Sequence, residues 1–159
     1  MLKIAIFISG EGSNAVKMLD NYSKSNAIEV ALIYSSRTNK HLKALCKQLG
    51  VVFHYSLWNE NEKINLLDLC KKLSIDWVIL AGFLKLIPES FLAHFPNKMI
   101  NIHPALLPKF GGKGMYGMHV HNAVIHAKEV ESGITIHYVN GSYDEGQIIA
   151  QFKVAISEE

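Results

Sequence analysis

The sequence predicts an α/β fold: a mostly parallel, twisted sheet with helices on both faces and last strands that are partly antiparallel. Three observations predict it. Short β-branched apolar runs alternate with stretches of helical period. A glycine turn joins the first apolar run to the first helical stretch, as in βα units that bind nucleotides. The 159 residues, 49% apolar and 19% charged, match the size and composition of a globular domain, so residues 1–159 are read as one domain.

The elements follow in order. Leu2–Ser9 is apolar almost throughout, the mark of a strand buried on both faces. It runs into Gly10-Glu11-Gly12-Ser13-Asn14, after which Val16, Met18, Leu19 and Tyr22 have helical spacing. Ser13 or Asn14 is expected to cap that helix. Ile28–Ser35 reads as a second strand, His41–Leu49 as a helix closed by Gly50, and Val51–Ser56 as a third strand. Ile64, Leu67, Cys70 and Leu73 mark the face of the next helix, and Asp76–Gly82 is a fourth strand. A short helix follows Pro88. Met99–His103 is a fifth strand, Asn122–Val130 a helix, and Gly133–Val139 and Gln147–Ile156 two more strands. Lys109–His119 carries four glycines in eleven residues and reads as a loop beside a site.

Composition excludes several classes. Sixteen Lys and Arg against fourteen Asp and Glu leave a net charge of +2, too little for a nucleic-acid coat, so any phosphate is bound at a local site. Apolar runs such as Ile4–Ile8 and Trp77–Ala81 are far shorter than the roughly 18 residues of a membrane span. Cys46 and Cys70 lie in helical patterns and read as reduced packing residues, which favours the cytoplasm. The partners expected are small-molecule substrates, with no nucleic acid and no membrane; monomer and homodimer both stay open.

Gly10–Ala15 satisfies G-x-G-x-x-G/A. Glycines let backbone N–H groups approach an anion, and the helix N-terminus adds partial positive charge. A dinucleotide enzyme should also place an acidic residue at the end of the second strand. Here that strand ends Tyr34-Ser35-Ser36-Arg37, which leaves only an NADP reading through Arg37.

Asn101-Ile102-His103-Pro104 carries the most chemical information. Alternate strand residues share a face, so Asn101 and His103 project together at the C-terminal strand edge where α/β sheets bind ligands. An amide and an imidazole there suit a developing oxyanion, and the imidazole can also move a proton. Downstream, His137 lies on a strand and Asp144 in a polar turn, where a carboxylate can orient His103 or position a water. His119, His121 and His126 read as solvated or packing histidines, and no metal is expected.

These residues together resemble the folate-dependent phosphoribosylglycinamide formyltransferases. The resemblance runs in order through ISGEGSN at 8–14, DWVILAGFLKLIP at 76–88, NIHPALLPKF at 101–110, GITIHYV at 133–139 and YDEGQII at 143–149. It implies a Rossmann-like formyltransferase fold with 10-formyltetrahydrofolate as co-substrate and no metal. By matching position it implies that Gly12, Ser13 and Asn14 hold the substrate phosphate. It places the formyl-transfer centre on Asn101, His103 and Asp144, and the folate pocket on Phe83, Leu84, Lys85, Leu86 and Ile87. The implied reaction moves the formyl group to the amine of glycinamide ribonucleotide, with Asn101 and His103 facing the oxyanion and Asp144 helping the proton to the leaving nitrogen. The product would be formylglycinamide ribonucleotide, in de novo purine (IMP) biosynthesis.

Three departures from the family pattern stand out. Lys85 replaces a common arginine, Gly111–Gly117 is long, and the family's C-terminal segment, with its acidic residue and closing helix, is expected to be missing. The alternatives are a formyltetrahydrofolate hydrolase with the same centre, a methionyl-tRNA formyltransferase, a non-catalytic nucleotide-binding module and an NADP oxidoreductase.

Overall fold

The computed structural model describes residues 1–157 and divides into two compact units, Met1–Lys85 and Leu86–Glu159. The first holds β1 (Leu2–Ile8), α1 (Ser13–Tyr22), β2 (Ile28–Ser35), α2 (Lys40–Leu49), β3 (Val52–Tyr55), α3 (Glu60–Lys72) and β4 (Trp77–Ala81). Its strands are parallel in the order β3-β2-β1-β4. The second holds α4 (Glu89–His94), β5 (Met99–His103), α5 (Met118–His126), β6 (Glu131–Tyr138) and β7 (Ile148–Ala155). There β5, β6 and β7 pair antiparallel. The expected α/β class, parallel first and antiparallel in its last strands, is the one observed.

The first unit is built on β1, whose alternate residues serve two faces. Ile4, Ile6 and Ile8 pack with Ala15 and Leu19 of α1 and Leu42 and Cys46 of α2, all buried. Phe7 points to the opposite face, where its ring meets Tyr34 and Phe83 edge-on at 5.2 and 5.7 Å. The strand order explains the division. All four strands run parallel, but the order of strand addition reverses at β1, with β2 and β3 on one side and β4 on the other, so right-handed crossovers carry α1 and α2 over one face and α3 over the other. The C-terminal edge at β1 and β4 is therefore a topological switch point, where such sheets open a crevice.

The helix ends differ in part from expectation. The residue capping α1 is Gly12, in the left-handed region at φ 76°, and no side chain caps the helix. Ser13 and Asn14 are exposed first-turn residues instead. The side chains of Asn39 and Asn59 do cap, accepting from Leu42 N–H and Glu62 N–H at the starts of α2 and α3. On α3 the buried pair is Leu66 and Cys70, while Ile64 is exposed. The core stripe thus runs through i and i+4 and is rotated from the face expected through Ile64. The last helix starts at Met118, four residues before the expected Asn122, because Gly117 ends the glycine-rich loop and Val120 and Val124 have apolar neighbours to pack against.

Both cysteines are free and buried, and burial pushes their thiols up, Cys46 to about 11 and Cys70 to about 12. Such thiols are inert at neutral pH. Among the described residues no helix is long and apolar enough to cross a membrane.

The capping geometry gives a paired prediction for chemical denaturation. Asn59→Ala should destabilise the fold by about 1 kcal/mol through loss of the cap, whereas Ser13→Ala, which removes no capping bond, should stay within about 0.5 kcal/mol.

Candidate active site

Two groups of residues hold the chemistry, one in each unit. In the first, β1 ends at Ile8 and the chain turns through Gly10–Gly12. A Cβ on Gly12 would lie 2.9 Å from both Ile8 Cδ1 and Leu42 Cδ2, and φ there is +76°. Position and backbone both demand glycine. Val16 N–H is bonded to Gly12 O, so the N–H groups of Ser13, Asn14 and Ala15 precede the first intrahelical bond and face outward with no side-chain cap to consume them. Asn39, which caps α2, also donates from Nδ2 to Glu11 O at 3.0 Å and to Gly10 O at 3.4 Å, fixing the turn.

Following β4, Gly82 at φ +75° turns the chain into Phe83-Leu84-Lys85. Phe83 is buried in an aromatic group with Phe7, Tyr34 and Trp58. Leu84 is half-buried and Lys85 exposed. In the second unit Leu86 is exposed and Ile87 buried. Of the five side chains expected to line a pocket, Phe83 and Ile87 are therefore buried in the core of their own units, while Leu84 is half-buried and Lys85 and Leu86 are exposed.

The second unit gathers the Asn, His and Asp group around the Asp144 carboxylate. Asn101 and His103, two apart on β5, both reach it: Asn101 Nδ2 donates to Oδ1 at 3.2 Å, and His103 Nδ1 lies 3.4 Å from the same oxygen. Gly112 N–H donates to Oδ2 at 2.9 Å. His137 Nε2 is 3.6 Å from Oδ1 and accepts the other Asn101 Nδ2 hydrogen at 3.0 Å. Asp144 sits at φ 57°, a left-handed conformation that aspartate and asparagine tolerate better than most residues. A cavity of 390 Å³ lined by Leu107, Gly112, Tyr143 and Gly146 opens on it.

Hydrogen-bond partners assign the protons. Phe110 O, an acceptor, is 2.8 Å from His103 Nε2, so that nitrogen carries hydrogen. Nδ1 then faces a carboxylate, a favourable approach when it is protonated as well. Tyr138 O likewise lies 2.8 Å from His137 Nδ1, which makes His137 the Nδ1–H tautomer with Nε2 free to accept from Asn101. Burial alone would raise the Asp144 pKa. Hydrogen bonds from His103 and Gly112, with the charge on His103, outweigh it and hold the carboxyl well below the usual range. The arrangement is an ionised carboxylate orienting a histidine and a carboxamide, a constellation suited to proton transfer and to charge developing on a carbonyl oxygen.

His137, left outside the expected triad, is 2% exposed and belongs to the same network. Its position on β6 two residues from Thr135, with Thr135 paired to His103 and His137 to Asn101 across the antiparallel ladder, is the signal that would have found it. Thr135 has a different task. Its hydroxyl donates to Ala105 O at 2.7 Å and accepts from Leu107 N–H and Gln151 Nε2, which fixes the chain leaving β5. The glycine-rich segment then supplies Phe110 O and Gly112 N–H, so it is part of the network. Gly146 is equally constrained, because a Cβ there would land on Tyr138 O, the acceptor of His137. His119 packs edge-on against Tyr116, and His126 Nδ1 bonds to Asn122 O. Among the described residues no group of three or more His, Cys, Asp or Glu converges as metal ligands do.

Asp144 yields a pH prediction. Its folded pKa is depressed, so its ionised form contributes stability that is present above the unfolded carboxylate value of about 3.9 and is lost as pH falls below it. Melting temperature followed from pH 7 downward should fall steeply in that acid range, and Asp144→Asn should lower the neutral value and flatten the acid limb. An unchanged acid limb in the variant would contradict the assignment.

The formyl transferase family model matches residues 2–159. The chain is 39% identical to the chloroplastic phosphoribosylglycinamide formyltransferase of Arabidopsis thaliana, covering 97% of this chain and 55% of that protein. It is 33% identical to the phosphoribosylglycinamide formyltransferase of Haemophilus influenzae, covering 100% and 76%. The crystal structure of phosphoribosylglycinamide formyltransferase from Bacillus halodurans superposes with a TM-score of 0.84 at 32% identity, covering 99% and 81%. The chain thus spans little more than half the length of its plant relative. With a mixed parallel and antiparallel α/β fold, an Asn-His-Asp network and a family match along its whole described length, the chain belongs to the formyl transferase family.

Proposed function

We propose that the chain transfers the formyl group of 10-formyltetrahydrofolate to the amine of 5'-phosphoribosylglycinamide, giving formylglycinamide ribonucleotide and tetrahydrofolate in de novo purine biosynthesis. The observation that carries this reading is the Asp144 carboxylate, held ionised against Asn101 and His103, in a chain so similar to proteins of that name. The cytoplasm is the proposed compartment.

The folate fits the residues available. Lys85 is an exposed cation following the Phe83–Leu84 turn, suited to an acidic tail, and the cavity beside Asp144 is lined by backbone-rich segments that offer hydrogen bonds to a heterocycle. 10-Formyltetrahydrofolate supplies the activated formyl group. The chain's part is to orient and to move protons. Asp144 fixes His103 through Nδ1, leaving Nε2–H to donate to the formyl oxygen once it leaves Phe110 O. Both Nδ2 hydrogens of Asn101 are engaged, by His137 and Asp144. Donation to the developing oxyanion therefore exchanges one of them, most cheaply the neutral bond to His137. Asp144 helps the amine proton travel to the leaving nitrogen through water and His103, which it orients. Gly12, Ser13 and Asn14 receive the phosphate on first-turn N–H groups and exposed side chains.

His103→Ala should lower kcat by at least about 100-fold, while the dissociation constant for the ribonucleotide stays within about twofold. A variant retaining most of its turnover removes His103 from the chemistry. Gly12→Val, which meets both a positive φ and the Ile8–Leu42 contact, should weaken ribonucleotide binding by at least about tenfold in calorimetry. Release of tetrahydrofolate followed with and without the ribonucleotide separates the two relevant reactions. Release that ignores the amine marks a hydrolase.

A further inference from the structure

Ser9 is 1% exposed, yet neither the phosphate loop nor the Asn-His-Asp network uses its hydroxyl. Ser9 is the last residue before the glycine turn, and it is bonded twice to the turn that leaves β4. Its N–H donates to Gly82 O at 3.0 Å, and its Oγ accepts from Leu84 N–H at 3.0 Å. Oγ also accepts from Ser36 Oγ at 2.8 Å, while Ser36 N–H reaches Ile8 O. The main-chain and side-chain bonds close a ring that fixes the plane of the Phe83–Leu84 peptide, one residue before Lys85. Because the peptide is planar and trans, aiming Leu84 N–H at Ser9 aims the Phe83 carbonyl the opposite way.

We propose that Ser9 is a positioning residue for the folate co-substrate: through Leu84 N–H it sets the segment Phe83–Lys85 in the conformation that receives the folate, at a fixed distance along β1 from the phosphate loop. It touches no substrate itself. Its role follows from bond direction. A buried serine oxygen that accepts two hydrogen bonds cannot be replaced by a methyl group without leaving Leu84 N–H unpaired, and that peptide turns to find another acceptor. The proposal rests on the reading of Phe83–Lys85 as the folate-facing segment.

The test compares Ser9→Ala, Ser36→Ala and Lys85→Gln in the full-length protein. Binding of tetrahydrofolate is measured by calorimetry alongside steady-state kinetics with 10-formyltetrahydrofolate. Ser9→Ala should raise the tetrahydrofolate Kd and the formyl-folate KM by about tenfold, with kcat falling less than about threefold. Ser36→Ala, which spares the bond to Leu84, should leave the folate Kd within about twofold. A purely structural serine would lower the melting temperature and the active fraction while leaving the folate Kd of the folded enzyme alone, and that result overturns the proposal. So does an equal loss in Ser36→Ala. Lys85→Gln separates the two readings. If it weakens folate binding and Ser9→Ala does not, only the role of Ser9 falls; if it has no effect, the folate-facing segment falls and Ser9 with it. Should Ser9→Ala not fold, Ser9→Cys, with similar volume and a weaker acceptor, gives the same comparison.

Discussion

A carboxylate taken partly out of water must be paid for by hydrogen bonds, and at Asp144 that requirement organises much of the second unit. Gly112 N–H and Asn101 Nδ2 donate to it, and His103 and His137 face it. These four groups come from three segments: β5 carries Asn101 and His103, β6 carries His137, and the glycine-rich loop carries Gly112. An isolated carboxyl in that position would stay neutral. With these partners it is held ionised, and the ionised form fixes the orientation of both the imidazole and the carboxamide.

The supporting structure is concerned with backbone placement. Thr135 and Gln151 together hold the Ala105–Leu107 turn, so that the chain leaving β5 arrives with Phe110 O against His103. Gly146 approaches Tyr138 O too closely for any side chain, which keeps the acceptor of His137 in place. In the first unit the same device appears at Gly12, wedged between Ile8 and Leu42, and the uncapped start of α1 keeps its N–H groups available. In the second unit the placement of His103 and His137 is thus set by Thr135, Gln151 and Gly146, none of which bonds to Asp144.

The inner strands β1 and β2 were legible because their residues are buried on both faces and so are apolar in runs; Ile28–Ser35 and Met99–His103 match in full. The pairing of Asn101 with His103 was legible from strand alternation, and their proximity to Asp144 is as expected. The start of the last helix was not legible, since four glycines and paired histidines hide a helical face that only its burial of Val120 and Val124 defines. The cap of α1 was misread because serine and asparagine are good caps in general, and nothing local says that glycine already occupies the position.

By itself the sequence determined the α/β class, the glycine turn between β1 and α1, and the residues able to do acid–base and oxyanion chemistry, because these depend on local periodicity and residue type. The tertiary structure alone decided which of them work together. His137 joins Asp144, Phe83 and Ile87 turn into the core, and Ser9 binds a peptide 75 positions away. Such choices depend on which backbone groups are left without partners once strands and helices have formed, and that account is closed only in three dimensions.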